Sequence, residues 1–396
     1  MQADSAQPLS GVRVIDFTQV MLGPSATQVL ADYGADVIKI ERPGAGDLSR
    51  SSLPDDPDGA DNPVFRSLNR NKRSIALDLG KPDGKAIVYD LVHDADVVAN
   101  NFRAGVMERL GFGYEALSRI NPRIICAVGS GFGQTGPLSY KGGQDILAQA
   151  LSGVMRRKCN DDEPLTVYAT SLCDYTAGMH LVQAILLALL QREKTGRGQQ
   201  VAVSLFESML AMQMQEAAMW LQRGQHFSWG AFPLTGGFET RDGAIVLVGA
   251  FKTNPLRDIC AALELPDLSA EPRYATFQRQ VENKSELQAL FRRSFASNTT
   301  AHWLARLDAQ DLLCAPVLTL AEALDHEQTR ANGTVVTIDG ATGPLPLVGS
   351  PLSMNAGAFR MRRPPPALGA DGDAILAEAG YPPARIAALR ASGVLA

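Results

Sequence analysis

The clearest indication of the fold class is the stretch Val12-Arg-Val-Ile-Asp-Phe-Thr-Gln-Val-Met-Leu-Gly-Pro-Ser-Ala-Thr-Gln-Val-Leu-Ala-Asp-Tyr-Gly-Ala-Asp-Val-Ile-Lys-Ile40. Its first six residues, 12–17, are mostly apolar and β-branched, which predicts a strand. Gly23-Pro24 then marks a turn, residues 25–33 predict a short helix, and residues 36–40 predict a second strand. A strand, a helix and a strand in succession indicate two parallel strands covered by a helix.

The same alternation continues through the first half of the chain. Further strands are predicted at 74–78, 96–100, 123–129 and 200–204, and helices at 84–94, 144–152, 174–191 and 205–222. Asp83 is a candidate cap of the helix that follows it. We therefore predict an α/β fold with a parallel, Rossmann-like sheet in a large domain.

The character of the sequence changes after residue 225. One strand at 244–248 and helices at 254–263, 283–296 and 300–310 predict a smaller α+β domain over 226–330, after the N-terminal part of the large domain at 1–225. Residues 331–396 hold the extended run Pro364-Pro365-Pro366 and two helices, at 371–380 and 383–392. Their apolar stripes need burial, so we expect this segment to return to the large domain.

Composition excludes several classes of function. The 396 residues are 45% hydrophobic and 20% charged with a net charge of −5, which is ordinary for a globular protein and argues against nonspecific nucleic-acid binding. The first ten residues are polar, and the apolar segment 175–190 is shorter than a membrane span, so we expect no membrane association and a cytoplasmic protein. The five cysteines form no CxxC pair, which predicts neither a disulfide framework nor a metal site.

Asp174 is the most informative single residue. It precedes a helix in which no further Asp, Glu, Lys or Arg occurs until Arg192. One interpretation is a helix N-cap, because Asp is a preferred cap. The other is an oriented and partly desolvated carboxylate, as covalent carboxylate catalysis requires. The neighbouring Cys173 is interpreted as a small buried hydrophobic residue, and His180 as a core histidine.

Basic residues supply a second set of candidates. The cluster Asn69-Arg-Asn-Lys-Arg73 is either a solvated surface or an anion site. Arg42, Arg103 and Arg109 flank predicted strand ends, where α/β folds bind ligands, and together suggest a large anionic ligand. No GxGxxG, Walker A, HExxH or GxSxG motif is present.

Several segments together resemble the class III CoA-transferases, the family of formyl-CoA transferase and carnitine CoA-transferase. The segments are Gly11–Phe17, Leu30–Arg42, Asn71–Asp78, Ala95–Arg103, Gly131–Pro137 and Lys194–Gln199. The resemblance implies an interlocked, ring-like homodimer, with acyl-CoA and a carboxylic acid as substrates and no permanently bound cofactor. It also implies that Asp174 is the nucleophile, through an aspartyl anhydride and an aspartyl-CoA thioester. A dicarboxylic acceptor follows from family habit.

The resemblance also carries over residues that would bind coenzyme A. They are Val20, Met21, Leu22, Arg42, Leu77, Asp78, Leu79, Gly80, Asn101, Phe102, Arg103 and Arg109. Gln144, Gly236 and Gly237 fall in the substrate-loop positions. Met21 stands where formyl-CoA transferase has a glutamine, and the long glycine-rich loop of that enzyme is reduced here to Gly236-Gly237-Phe238.

Two alternative functions remain. α-Methylacyl-CoA racemases are similar but add a histidine at the position of Gln144, and an amide cannot act as an acid or base at neutral pH. The other alternative is a non-catalytic CoA-binding protein, in which Asp174 would be only a helix cap.

Overall fold

The computed structural model describes residues 7–157, 164–340 and 343–396. Cys159 and the acidic stretch Asp161-Asp162-Glu163 lie outside the described residues. The described chain falls into two compact units. The first unit holds the residues up to Met155, Val167–Met212 and Ala331–Ala396, and the second holds Gln213–Arg330 and the described part of 156–166. The domain limits given by the sequence stay a prediction.

A six-stranded parallel sheet organises the first unit. Its strands are β1 (Arg13–Asp16), β2 (Asp36–Glu41), β3 (Lys72–Ala76), β4 (Val97–Asn100), β5 (Ile125–Ser130) and β6 (Gln200–Ser204). They lie in the order β3-β2-β1-β4-β5-β6, and every neighbouring pair is parallel. The predicted α/β class with a parallel sheet is confirmed, and the order reverses direction between β1 and β4.

Helices cover both faces of this sheet. Those of the first unit are α1 (Leu22–Asp32), α2 (Pro63–Arg66), α3 (Pro82–His93), α4 (Val106–Leu110), α5 (Tyr114–Ile120), α6 (Asp145–Leu151), α7 (Leu172–Thr195) and α8 (Leu205–Met212). Alternate residues of each strand point to opposite faces, so Ile15 belongs to one apolar core and Val14 to the other. Burial on both faces explains why the central strands β4 and β5 are mostly apolar.

The start of β3 and the start of α3 each correct a prediction. β3 begins at Lys72, two residues before the predicted start, so the basic cluster is not a solvated surface. The Lys72 ammonium is buried 3.2 Å from the Asp16 carboxylate, and Arg70 is paired with the buried Asp32. These cations balance buried carboxylates and are not available as an anion site. Asp83 is not a cap either, because it lies within the first turn of α3 after Lys81 at the N-cap.

The longest helix, α7, is held against α1 by a close approach. A Cβ added at Gly178 would lie 2.1 Å from the hydroxyl of Ser25, so a larger residue does not fit there. Its buried stripe includes Ala177, Leu181 and Ile185. By length and composition alone α7 could cross a membrane. This is weak evidence for a membrane span, because a core helix of a soluble protein passes the same test.

The second unit is a small α+β assembly. Its elements are α9 (Met214–Arg223), β7 (Thr235–Glu239), β8 (Ala244–Val248), α10 (Pro255–Ala262), α11 (Phe277–Glu282), α12 (Lys284–Ala296), α13 (Thr300–Ala309), β9 (Leu313–Pro316), α14 (Leu320–Asp325) and α15 (Glu327–Ala331). Two predictions were wrong here. The predicted helix 205–222 is two helices, α8 and α9. Gly236 and Gly237 lie in β7, paired with β8, and do not form a loop.

The C-terminal segment completes the first unit. It forms the antiparallel hairpin β10 (Val335–Gly340) and β11 (Gly343–Val348), then α16 (Gly372–Glu378) and α17 (Pro383–Ala391). Beyond α17 the chain reaches the end of β3, where the Asp78 amide donates to the carbonyl of Val394. Leu376, Leu389 and Leu395 enter the apolar core on that face of the sheet.

Candidate active site

The reversal of strand order between β1 and β4 creates the crevice where the candidate residues meet. The turn after β1 and the segment after β4 lie on its two sides, and they are joined by one amide side chain. Asn101 accepts a hydrogen bond from the Gln19 amide at 2.8 Å and donates one to the Gln19 carbonyl at 2.7 Å. Open parallel sheets bind ligands at such a position, outside the carboxyl ends of the strands.

A large cavity of about 860 Å³ follows the carboxyl ends of β1, β2 and β3. Six of the residues predicted to bind coenzyme A line it, namely Arg42, Leu77, Asp78, Leu79, Gly80 and Phe102. Thr18, Gln19, Lys39, Asp47 and Gly393 line it as well, although the sequence did not single them out. The cavity combines apolar walls with polar groups and is of the size that cofactor sites have.

A second, small cavity of about 70 Å³ contains Asp174. Its lining includes Leu22, Asn101, Phe102, Arg103, Ser130, Gly131, Ser139, Lys141, Gly143 and Leu205. Phe102 lines both this cavity and the larger one, so the two lie side by side. The structure therefore brings Asp174 together with four of the predicted coenzyme residues.

Asp174 is not the N-cap of α7. It is the third residue of the helix, and Ser171 occupies the cap position without a side-chain cap bond. The carboxylate of Asp145 takes over this role, because its Oδ1 accepts hydrogen bonds from the amides of Cys173 at 2.7 Å and Asp174 at 3.0 Å. The Asp174 carboxylate therefore does not cap the helix, and Asp174 lines the small cavity.

The electrostatics of Asp174 follow from this arrangement. Burial disfavours its charged form, the charge of Asp145 adds to the effect, and together they raise the pKa of Asp174 to about 7. Asp145 itself is buried, and Gln149 donates to its Oδ2 at 2.6 Å. Burial also raises the pKa of the Cys173 thiol to about 12, which leaves no thiolate for catalysis at neutral pH.

Two glycines place Asp145 at the start of α7. A Cβ added at Gly143 would lie 2.4 Å from the Cα of Gly131, so the segment before α6 rests directly on the end of β5. A Cβ added at Gly142 would lie 2.6 Å from the guanidinium of Arg103. A larger residue at Gly143 would push the segment outward and move Asp145 away from the helix end, whereas one at Gly142 would displace the Arg103 guanidinium.

The remaining predicted residues lie in several places. Gln144 is the N-cap of α6, where its Oε1 accepts from the Ile146 amide at 2.9 Å, so its side chain has a structural role beside Asp145. Met21 lines a separate cavity of about 1000 Å³. Arg109 is on α4, next to Leu110, which lines the large cavity. Gly236 and Gly237 belong to the second unit.

Asp145, Gln149 and Lys141 were missed by sequence reasoning. The sequence contains one indication of Asp145, because this residue directly follows Gly142-Gly143-Gln144, the segment that holds the predicted substrate-loop residue Gln144. No motif marks a carboxylate that caps a helix 28 residues later in the chain. Within the described residues, no cluster of three or more His, Cys, Asp or Glu could hold a metal.

Comparisons with known proteins agree on one family. The family model described as CoA-transferase family III matches residues 9–372. A succinyl-CoA:glutarate CoA-transferase of Mus musculus is 35% identical, covering 99% of this chain and 91% of that protein. An acetyl-CoA:oxalate CoA-transferase of Acetobacter aceti is 35% identical, covering 96% and 97%. The crystal structure of a CAIB/BAIF family protein from Brucella suis superposes with a TM-score of 0.84 at 30% identity, covering 94% of this chain and 100% of that one.

Proposed function

Because the chain belongs to CoA-transferase family III, whose reaction moves coenzyme A from an acyl-CoA to a carboxylic acid, we propose that Asp174 carries this reaction as a covalent nucleophile. One observation supports this role above the others. A separate carboxylate caps the helix that holds Asp174, so that Asp174 lines the small cavity next to the predicted coenzyme residues. A cap residue would have its oxygens occupied by helix amides.

The reaction needs no external proton donor or acceptor. The Asp174 carboxylate attacks the thioester carbonyl, the carbon–sulfur bond breaks, and a mixed anhydride and the CoA thiolate result. The thiolate attacks the aspartyl carbonyl and releases the donor acid as a carboxylate, which leaves an aspartyl-CoA thioester. The acceptor carboxylate then attacks the aspartyl carbonyl of this thioester, the carbon–sulfur bond breaks, and a second mixed anhydride and the CoA thiolate result. The thiolate attacks the acceptor carbonyl of this anhydride, which gives the acceptor acyl-CoA and releases Asp174 as a carboxylate. Asp174 is thereby restored.

The raised pKa of Asp174 suits this chemistry. A carboxylate whose pKa is about 7 is more basic than an ordinary aspartate and therefore a stronger nucleophile. It must be ionised to attack, so the rate should fall as the pH drops below about 7. The tetrahedral oxyanions through which the two anhydrides form and break need donors other than the amides of Cys173 and Asp174, because Asp145 already accepts from both.

A dicarboxylic acid is the acceptor that we favour. The two relatives described above are named for glutarate and oxalate, which are both dicarboxylates. Arg103 and Lys141 bring two positive charges to the cavity of Asp174. One of them could bind the second carboxylate of the acceptor while the first attacks. Replacing Lys141 by Met should lower kcat/KM for succinate about tenfold and change that for acetate little.

Transfer of labelled oxygen tests the role of Asp174. In the proposed sequence the acceptor carboxylate leaves one of its oxygens on Asp174 in each turnover. The protein is incubated with succinyl-CoA and glutarate labelled with ¹⁸O in both carboxylates, and the peptide that contains Asp174 is fragmented in a mass spectrometer. We expect the label on Asp174. Unlabelled Asp174 after many turnovers would refute the covalent pathway.

The same experiment needs two controls. Labelled glutarate without acyl-CoA should leave Asp174 unlabelled, because no anhydride forms. An Asp174→Asn variant should neither transfer CoA nor take up label, whereas a non-catalytic binding role predicts that Asp174→Asn leaves any residual reaction unchanged. Solvent deuterium that enters the α-carbon of a branched acyl-CoA without labelling Asp174 would instead indicate racemisation.

The interlocked homodimer is part of the proposal. The helices α6, α7 and α8 pack against one another in the first unit. Their outward faces expose large apolar side chains, including Leu147, Leu151, Leu187, Leu190 and Met212. Exposed apolar patches of this kind mark protein interfaces, and a second copy of the chain is the partner that the family implies.

A further inference from the structure

The turn between β1 and α1 contains a strained residue. Val20 has a φ of +67°, a left-handed conformation that is costly for a β-branched side chain. Other non-glycine residues of the described chain with positive φ are Asn71, Phe251, Glu264 and Asp311, and none of them is β-branched. Val20 is 42% exposed, so packing of its side chain does not explain the conformation. Such strain persists only where the surroundings impose it.

Buried polar groups impose it here. The carboxylate of Asp47 accepts a hydrogen bond from the Val20 amide at 3.0 Å. The ammonium of Lys39 donates to the Thr18 carbonyl at 2.7 Å, and the carboxylate of Asp16 accepts from the Thr18 amide at 2.8 Å. Together with the Asn101 bridge described above, these contacts fix the backbone of three successive residues of the turn.

Asp47 and Lys39 form a fully buried ion pair. Their charged groups are 2.7 Å apart and the side chains are almost completely inaccessible to water. Burial opposes the ionisation of Asp47 and is the largest single effect, but the charge and hydrogen bond of Lys39 and the hydrogen bonds from the Ser49 and Val20 amides together outweigh it and lower the pKa of Asp47 to about 2. Taking two charges out of water costs about as much as their attraction returns, so such a pair adds little to stability. Its contribution is then to conformation.

The position of the turn connects it with the ligand. Thr18, Gln19, Lys39 and Asp47 line the large cavity, and Leu22, directly after the turn, lines the cavity of Asp174. The turn therefore runs along the path from one cavity to the other. A coenzyme whose thioester reaches Asp174 has to pass this backbone.

We propose that Asp47, fixed by Lys39, is a positioning residue for coenzyme A, because it holds Val20 in the left-handed conformation that shapes the turn between the two cavities. Without the Asp47 acceptor, Val20 would relax to negative φ and the turn would leave the wall of the cavity. A glycine at position 20 adopts the left-handed conformation without this cost, and it should make the turn less dependent on Asp47. This inference rests on the proposed function, since it assumes that the cavity binds coenzyme A.

A double-mutant cycle tests the inference on the intact chain. The dissociation constant of coenzyme A is measured by titration calorimetry for the unaltered protein, Asp47→Ala, Val20→Gly and the double variant. We expect Asp47→Ala to weaken binding by about tenfold or more relative to the unaltered protein, and by less than about threefold when both proteins carry Val20→Gly. The KM for acyl-CoA should follow the same order, with kcat changed less than KM.

The control is Asp311→Gly, which relieves a left-handed residue of the second unit. It should not restore binding to the Asp47→Ala protein. Unchanged affinity in folded Asp47→Ala, or a loss that Val20→Gly does not repair, would overturn the inference, and so would an equal repair by Asp311→Gly. If Asp47→Ala does not fold, the cycle is run with Asp47→Ala combined with Lys39→Met, which removes both buried charges and still leaves the Val20 amide without its acceptor, and repair by Val20→Gly is judged by the same criteria.

The two proposals fail in different ways. Coenzyme binding is measured without turnover, and the cycle can be repeated in the Asp174→Asn protein, in which no covalent step occurs. If Val20→Gly restores coenzyme binding but Asp174 takes up no ¹⁸O, the positioning role of Asp47 is upheld and the nucleophilic role of Asp174 is refuted. If Asp174 takes up ¹⁸O but Val20→Gly does not restore binding, the nucleophilic role is upheld and the positioning role is refuted. A chain that binds no coenzyme A at all would overturn both.

Discussion

Replacement of Asp145 by asparagine should shift the pH dependence of the reaction. Asp145 is buried and adds its negative charge to the effect of burial on Asp174. An asparagine keeps an oxygen that can accept from the amides of Cys173 and Asp174, but it carries no charge. The helix end would remain capped, and the pKa of Asp174 would fall from about 7 towards its ordinary value of 3.8.

The size of the shift follows from the geometry. Oδ1 of Asp145 is 3.0 Å from the backbone nitrogen of Asp174. Two unit charges about 5 Å apart interact by roughly 3 kcal/mol at an effective dielectric constant of about 20, which corresponds to about two pH units. Burial is the larger of the two causes, so we take this figure as an upper bound and expect a shift of about one pH unit.

The assay is the pH profile of kcat/KM for CoA transfer between about pH 5 and about pH 9. The acidic limb should move to lower pH in Asp145→Asn, and the rate above the limb should fall because the nucleophile is less basic. Asp94→Asn, which removes an exposed charge elsewhere, should leave the profile unchanged. An acidic limb at the same pH in Asp145→Asn would show that Asp145 does not act on Asp174 electrostatically.

Three further perturbations have defined outcomes. Because the pKa of Asp174 is raised from 3.8 to about 7, the ionised group costs stability above pH 7 and costs nothing below pH 3.8. Asp174→Asn should therefore raise the free energy of unfolding, measured with urea, by roughly 1–3 kcal/mol at about pH 8. This gain in stability should shrink as the pH falls. A gain that does not depend on pH would contradict the proposed cost of ionising Asp174. Asp32→Asn leaves the buried guanidinium of Arg70 without its carboxylate and should lower the free energy of unfolding by about 3–5 kcal/mol in the same assay. A decrease below about 1 kcal/mol would mean that the ion pair behaves like one on the surface. Leu187→Lys places a charge on the exposed apolar face of α7 and should convert the proposed dimer to a smaller species in light scattering, whereas an unchanged mass would exclude that face from the proposed interface.

The sequence predicted the parts of the fold that depend on local periodicity. Buried parallel strands are mostly apolar, so β1 and β2 could be recognised from the β-branched residues near Val14 and Val37. The start of β3 was harder, because Lys72 and Arg73 are charged although they are buried in the strand. Their partners come from other elements of the chain, and a pattern that treats charge as exposure places such a strand too late.

The candidate site was only partly predictable for the same reason. Asp174 was predicted as a site residue from its place before an apolar helix, and nine of the twelve coenzyme residues that the resemblance added line two neighbouring cavities. The capping of α7 by Asp145 depends on the contact between Gly131 and Gly143, which joins two separate segments. Whether Asp174 is a cap or a free carboxylate is therefore decided by tertiary structure, and both interpretations were open until that structure was known.

The division of the first unit into separate stretches has a consequence for its biosynthesis. The ribosome completes all six strands of the sheet more than a hundred residues before it releases the helices that cover one side of β3. During that interval the apolar side chains of Ile75 and Leu77, which are buried in the finished protein, are not yet covered by Leu376 and Leu395. Newly made chains should therefore depend on chaperones until synthesis ends, and premature termination within 331–396 should yield aggregates and not a smaller active enzyme.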